Sequence, residues 1–80
     1  MFKMSFYDGT LDREKLITEI KNTKKPIKYT YGFAYRDPTT RNKPVSVEEA
    51  IEIVRKQSLL DADERDDYIH LNAYSSNDMW

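Results

Sequence analysis

The sequence predicts a single α+β domain in which two helices cover one face of a three-stranded sheet. Three segments alternate apolar and polar residues, which is typical of half-buried strands. Two further segments repeat apolar residues at helical spacing and are bounded by capping residues or proline. At 80 residues the chain has room for one small core. We therefore expect residues 1–80 to form one domain in the order β-α-β-α-β.

The first strand is predicted over residues 2–7. Phe2, Met4 and Phe6 alternate with polar or amphipathic neighbours, which places the three apolar side chains on one face. The dipeptide Asp8-Gly9 that follows is a common turn sequence and predicts the end of the strand.

The first helix is predicted between this turn and Pro26. Thr10 is a residue type that caps helices, and acidic residues follow it in the first turn. Leu16, Ile17 and Ile20 form one narrow apolar stripe. Three lysines follow the stripe near the negative end of the helix, and Pro26 excludes its continuation.

The second strand is predicted over residues 27–36, which are rich in β-branched and aromatic side chains. One face carries Ile27, Tyr29, Tyr31, Phe33 and Tyr35. The other face carries Lys28 and Arg36. Residues 41–45 form either a loop or a short edge strand, because Pro44 disfavours a central position. With a strand there, the order becomes β-α-β-β-α-β, the ferredoxin-like alternative.

The second helix has the strongest pattern in the chain. Ser46 and Glu49 have the spacing of a capping box. The apolar stripe that follows consists of Val47, Ala50, Ile51 and Val54. Leu59 and Leu60 end this segment and are expected in the core.

The last third of the chain contains an acidic stretch and the third strand. Residues 61–67 are predicted to be a loop or one helical turn. In residues 68–74, Ile69, Leu71 and Ala73 take one face, opposite to Tyr68, His70, Asn72 and Tyr74. Residues 75–80 are polar apart from their last two positions, and we expect a flexible tail.

Composition excludes several classes of function. The net charge of -1 rules out a polycation that binds nucleic acid through bulk charge. The absence of cysteine excludes disulfides and thiolate chemistry. His70 is the chain's one imidazole, whereas a metal site or general base needs further partners. We therefore expect no enzyme activity, cofactor or metal, and, without a signal-peptide pattern or long apolar run, a cytoplasmic protein with no membrane partner.

Charge is unevenly distributed along the chain. Residues 45–80 hold nine acidic and three basic side chains. Five of the acidic residues are clustered: Asp61, Asp63, Glu64, Asp66 and Asp67. They do not match the calcium-binding EF-hand loop, because Asp66 stands where that loop requires glycine. The cluster is either a solvated loop or an acidic patch for a basic partner, as in a phage or mobile-element inhibitor.

One short motif points to nucleic acid. Tyr31-Gly32-Phe33-Ala34-Tyr35 resembles the middle of the RNP1 motif of RNA-recognition domains, in which aromatic rings stand on an open sheet. The resemblance implies that Phe33 and Tyr35 stack on bases. The motif departs from the pattern at Tyr31, where lysine or arginine is usual, and after Tyr35. The same rings could instead face the helices as core residues.

The aromatic content predicts a binding surface. Six Tyr, three Phe and one Trp exceed what two narrow helix stripes can cover, and Tyr and Trp are enriched at protein interfaces. If the apolar set of the last strand faces the helices, the exposed sheet face displays a set of candidate partner-binding residues: Tyr68, His70, Tyr74, Lys28 and Arg36. We expect a non-catalytic, regulatory or accessory protein-binding domain. The alternative is a single-stranded nucleic-acid binder that uses sheet aromatics and flanking Lys and Arg residues.

Overall fold

The computed structural model describes residues 2–32 and 42–74. The elements, in chain order, are β1 (Lys3–Ser5), α1 (Arg13–Asn22), β2 (Ile27–Tyr31), β3 (Lys43–Val45), α2 (Val47–Lys56), β4 (Leu59–Glu64) and β5 (Ile69–Tyr74). The α+β class agrees with the sequence analysis. The predicted three-stranded sheet and its β-α-β-α-β order were wrong, because the described residues form five strands.

The strands form one mixed sheet in the order β1-β4-β5-β2-β3. The pair β2 and β5 is parallel, and the other three neighbouring pairs are antiparallel. The ferredoxin-like alternative includes a strand at residues 41–45, where β3 is found, but it has no counterpart for β4. The edge position of β3 suits Pro44, because proline cannot donate to a further strand.

Strand β4 is the largest departure from the sequence analysis, which predicted a loop or helical turn at residues 61–67. Asp and Glu are poor strand formers, yet β4 pairs along its length with β5 and also with β1. Leu60 and Ala62 point into the core and are almost fully buried. Asp61 lies on the opposite side, where it accepts hydrogen bonds from the Ser5 hydroxyl and the Phe6 amide. Pairing on two sides therefore outweighs the local preference of the acidic residues.

Both helices begin at a side-chain cap. In α2 the Ser46 hydroxyl accepts from the Glu49 amide at 3.1 Å, as the capping-box spacing predicts. In α1 the cap is Asp12, which accepts from the Lys15 amide at 3.1 Å. Thr10 was the wrong cap residue; its hydroxyl instead bonds Asp8 and the Ser5 amide within the preceding turn.

The core lies between the sheet and the two helices. The helices contribute Leu16, Ile17, Ile20, Ala50, Ile53 and Val54. The strands contribute Met4, Ile27, Leu60, Ala62, Ile69, Leu71 and Ala73. Val47 was predicted in the stripe of α2 but is 38% exposed, and Ile53 is buried. The buried side of α2 therefore includes Ile53 and excludes Val47, so it is rotated relative to the predicted apolar stripe.

Candidate functional site

The sheet has one face turned towards the helices and one turned away from them. All strand residues of the core share one parity in the strand register, so both helices lie against the same face. We call the other face the helix-free face. Among the described residues it carries Lys3, Ser5, Lys28, Thr30, Leu59, Asp61, Asp63, His70, Asn72 and Tyr74.

One end of the helix-free face carries three of the predicted site residues. The Lys28 ammonium lies 4.7 Å from the centre of the Tyr68 ring, within the range of a cation–π contact. The rings of Tyr68 and His70 meet edge to face with 6.2 Å between their centroids. Lys28 and His70 are direct partners in the parallel pair of β2 and β5. We refer to Tyr68, Lys28 and His70 together as the Tyr68 group.

His70 is held by a hydrogen bond to the neighbouring strand. Its Nε2 lies 2.8 Å from the Thr30 hydroxyl oxygen, and that oxygen accepts from the Asn42 backbone amide at 3.0 Å. Burial lowers the pKa of His70 below its ordinary value of 6.5; Arg65 lowers it further, and Asp63 opposes this. The imidazole is therefore a half-buried group whose neutral form is favoured.

The opposite end of the helix-free face carries a second aromatic group. The Tyr74 ring contacts the Tyr7 ring edge to face at 5.7 Å, and Tyr7 contacts Phe6 in the same way at 5.7 Å. Tyr7 is 51% exposed and Phe6 is 43% exposed. We refer to Tyr74, Tyr7 and Phe6 as the Tyr74 group.

Two members of the Tyr74 group, Phe6 and Tyr7, were missed as site residues. Phe6 was assigned to the apolar face of the first strand, but that strand ends at Ser5 and the chain turns, with a hydrogen bond from the Gly9 amide to the Phe6 carbonyl. The signal that could have found them is the aromatic pair placed directly before the Asp8-Gly9 turn.

Tyr74 is more than a surface ring. Burial and the Asp61 carboxylate raise the pKa of its hydroxyl, which hydrogen bonds with Asn72 and Asp61.

Thr30 is only 2% exposed, although it lies on the helix-free face. The Asn72 Oδ1 is also buried and has no hydrogen-bond partner among residues 2–32 and 42–74. The middle of this face is therefore buried, and exposed rings lie at one of its ends.

The five acidic residues do not share one surface. Asp61 and Asp63 lie on the helix-free face, whereas Glu64 has the parity of the core and bonds the Lys25 ammonium at 2.8 Å. That bond lowers the pKa of Glu64. Asp63 pairs with Arg65 at 3.1 Å. Asp66 and Asp67 are exposed between β4 and β5.

The residues of the RNP1-like motif are only partly described. Tyr29 and Tyr31 have the parity of the core and face the side of α2, not the helix-free face. Together with Ile53 they line a cleft of about 610 Å³ between α2 and the strands β2 and β3, with Lys43 and Glu52 also in its walls. Phe33, Tyr35 and the predicted partner-binding residue Arg36 lie outside the described residues, as does the tail at 75–80.

Neither a metal centre nor a membrane span is found in the described part of the chain. Its His, Asp and Glu side chains form no group of three that could ligate a metal. Within the same residues, neither helix has the length and apolar character needed to cross a membrane. Comparison of the chain with models of known families, with curated proteins and with solved structures finds no match.

Proposed function

We propose that this chain is a small non-catalytic domain that binds another protein through the helix-free face of its sheet. The observation that carries the proposal is the Tyr74 group, in which exposed Phe6 and Tyr7 extend the face beyond the end of β1. Exposed aromatic rings that contact each other are typical of interface centres, because they supply large contact area at low entropic cost.

The two aromatic groups fit within one interface. Tyr68 directly precedes β5 and Tyr74 ends it, six residues further on, so their Cα atoms are roughly 20 Å apart at strand spacing. An interface of standard size covers about 800 Å² on each partner, which corresponds to a patch roughly 30 Å across. A single partner can therefore contact both groups, with the buried residues around Thr30 as a rigid support.

The bonding of His70 supports a non-catalytic role. A general base needs an unprotonated nitrogen directed at its target. The His70 Nε2 is instead 2.8 Å from the hydroxyl of Thr30, which is itself buried. The ring thus serves the packing of β5 against β2.

The two alternative functions have less support from the described residues. Nucleic-acid binding through the RNP1-like motif needs rings on the helix-free face, whereas Tyr29 and Tyr31 have the opposite parity. An inhibitor that acts through an acidic patch needs the carboxylates together. Glu64 lies on the other side of β4 from Asp61 and Asp63, and two of these three carboxylates bond basic side chains.

Site-specific photocrosslinking in the native host tests the proposal. Benzoylphenylalanine is placed at Tyr68, at Tyr7 or at Tyr31, where Tyr31 is the matched control because it is 42% exposed on the helix-covered side. We expect the same protein adduct from positions 68 and 7 and none from position 31. An adduct from position 31 alone would contradict the proposed face.

Affinity measurements with the captured partner give the second readout. Truncating an interface aromatic costs about 1–2 kcal/mol or more, so Tyr7→Ala and Tyr68→Ala should each weaken binding about tenfold, whereas Tyr31→Ala should not. All three variants must keep the thermal stability of the parent within a few degrees. Tight binding of a single-stranded oligonucleotide that weakens steeply with salt would instead support the nucleic-acid alternative.

A further inference from the structure

Two hydrogen bonds meet at the Thr30 hydroxyl of β2. They connect it to the titratable ring of His70 on β5 and to Asn42, directly before β3. The Thr30 hydroxyl oxygen on β2 lies 2.8 Å from the Nε2 of His70 on β5. The same oxygen lies 3.0 Å from the backbone nitrogen of Asn42, the residue directly before β3. Thr30 is 2% exposed, so solvent does not supply a substitute partner for its hydroxyl.

One of these hydrogen bonds has a fixed direction, and the direction of the other depends on the tautomer of His70. The Asn42 nitrogen can only donate, so Thr30 Oγ1 is its acceptor. A neutral imidazole with its hydrogen on Nδ1 can accept the Thr30 hydroxyl hydrogen at Nε2, and Thr30 Oγ1 then acts as both donor and acceptor. We assign this tautomer to the state in which both hydrogen bonds are present.

Protonation of His70 reverses the second of these bonds. An imidazolium carries hydrogen on both nitrogens and cannot accept. Thr30 Oγ1 would then face two donors, and its own hydrogen would lose the His70 acceptor. This unfavourable arrangement is relieved when one of the two hydrogen bonds to Thr30 Oγ1 breaks. The bond from the Asn42 amide is the one at the edge of the sheet. Asn42 has a φ of 54°, in the left-handed region that asparagine adopts more readily than most residues.

We propose that His70, Thr30 and Asn42 form a proton-sensitive latch that holds the start of β3 on β2 while the imidazole is neutral and releases it on protonation. Strand β3 is short, with three residues at the sheet edge, and among the described strands it pairs with β2 alone. A single lost bond at Asn42, the residue before β3, therefore affects a large part of the attachment of the strand. Lys43, the first residue of β3, also lines the cleft beside α2.

Charged groups around the imidazole set the pH at which the latch opens. On β4, Asp63 is the direct partner of His70, and it pairs with Arg65 at 3.1 Å. On β2, Lys28 is the direct partner. Directly before β5, the Tyr68 ring lies beside the His70 ring. Burial lowers the pKa of His70 most, Arg65 lowers it further, and Asp63 opposes both.

NMR titration from pH 8 to pH 5 tests the latch, and the one histidine of the chain makes the assignment unambiguous. We expect the Nδ1–H tautomer at pH 8. The Asn42 amide resonance should move with the midpoint of His70, and its protection from hydrogen exchange should fall about tenfold across that midpoint. An Nε2–H tautomer, or an Asn42 amide that does not follow His70, would overturn the proposal.

Two substitutions separate the latch from general loosening of the fold. Thr30→Val keeps the shape of the side chain but removes the hydroxyl; the pKa of His70 should rise towards 6.5, and Asn42 protection should be low at every pH. Thr30→Ser is the matched control and should behave as the parent. If Thr30→Val does not fold, His70→Gln takes its place. In that variant Asn42 protection should no longer depend on pH, and an unchanged pH dependence would refute the latch.

Discussion

Replacing Arg13 tests how the two helices are joined. Arg13 is the first residue of α1, and its half-buried guanidinium donates to three backbone carbonyls at and beyond the end of α2. The acceptors are Val54, Gln57 at 2.7 Å and Ser58 at 3.0 Å. The positive charge also lies at the negative end of the α2 dipole. One side chain thus caps one helix and fastens it to the other.

The expected cost of Arg13→Met follows from these bonds. A hydrogen bond with one charged partner contributes about 1.5–3 kcal/mol net. The bond to Ser58 is exposed and water can replace it, so the sum of three is an overestimate. We expect a loss of about 2–3 kcal/mol in the free energy of unfolding, including up to about 1 kcal/mol from the dipole. Arg13→Lys should recover only part of this loss. Its ammonium keeps the positive charge, but it cannot reach all three carbonyl oxygens as the planar guanidinium does.

Urea denaturation followed by far-UV circular dichroism measures this loss. With a slope of about 1 kcal/mol/M for a small domain, the midpoint of Arg13→Met should fall by roughly 2 M. Lys15→Met is the matched control, since it removes an exposed positive charge from the same helix and should cost less than about 0.5 kcal/mol. Equal midpoints for the two variants would refute the assigned role of Arg13.

Four further changes test other parts of the fold. Ser46→Ala removes the cap of α2 and should cost about 1 kcal/mol in the same denaturation assay. Val54→Ala in the core should cost roughly 2–4 kcal/mol, against about 0.5 kcal/mol for exposed Glu52→Ala; equal costs would contradict the observed packing of α2. Burial raises the pKa of Tyr29 to about 12, so ultraviolet titration should show a tyrosine ionising near pH 12, and Tyr29→Phe should remove that step. Because the folded pKa of His70 is lowered, the unfolded chain takes up the proton first as pH falls. Stability should therefore decrease from about pH 6.5 down to the folded pKa, and His70→Gln should flatten the curve.

The sequence determined the elements whose signals are local. The apolar spacing and the Ser46 cap place α2 within one residue of its observed start. Strict alternation over residues 68–74 predicts β5 and the faces of its side chains, because adjacent residues of a strand point to opposite sides. The same alternation places Tyr68, His70 and Tyr74 opposite to the core.

Tertiary structure decided what local preference could not. Strand β4 contains three acidic positions that disfavour a strand, and it forms because β1 and β5 pair with it on both sides. The position of the Tyr74 group depends on β1 ending at Ser5, which follows from pairing with β4. The contacts of Arg13 and of the Thr30 hydroxyl join residues far apart in the chain. No spacing in the sequence encodes such contacts, because they arise only when the strand order brings the residues together.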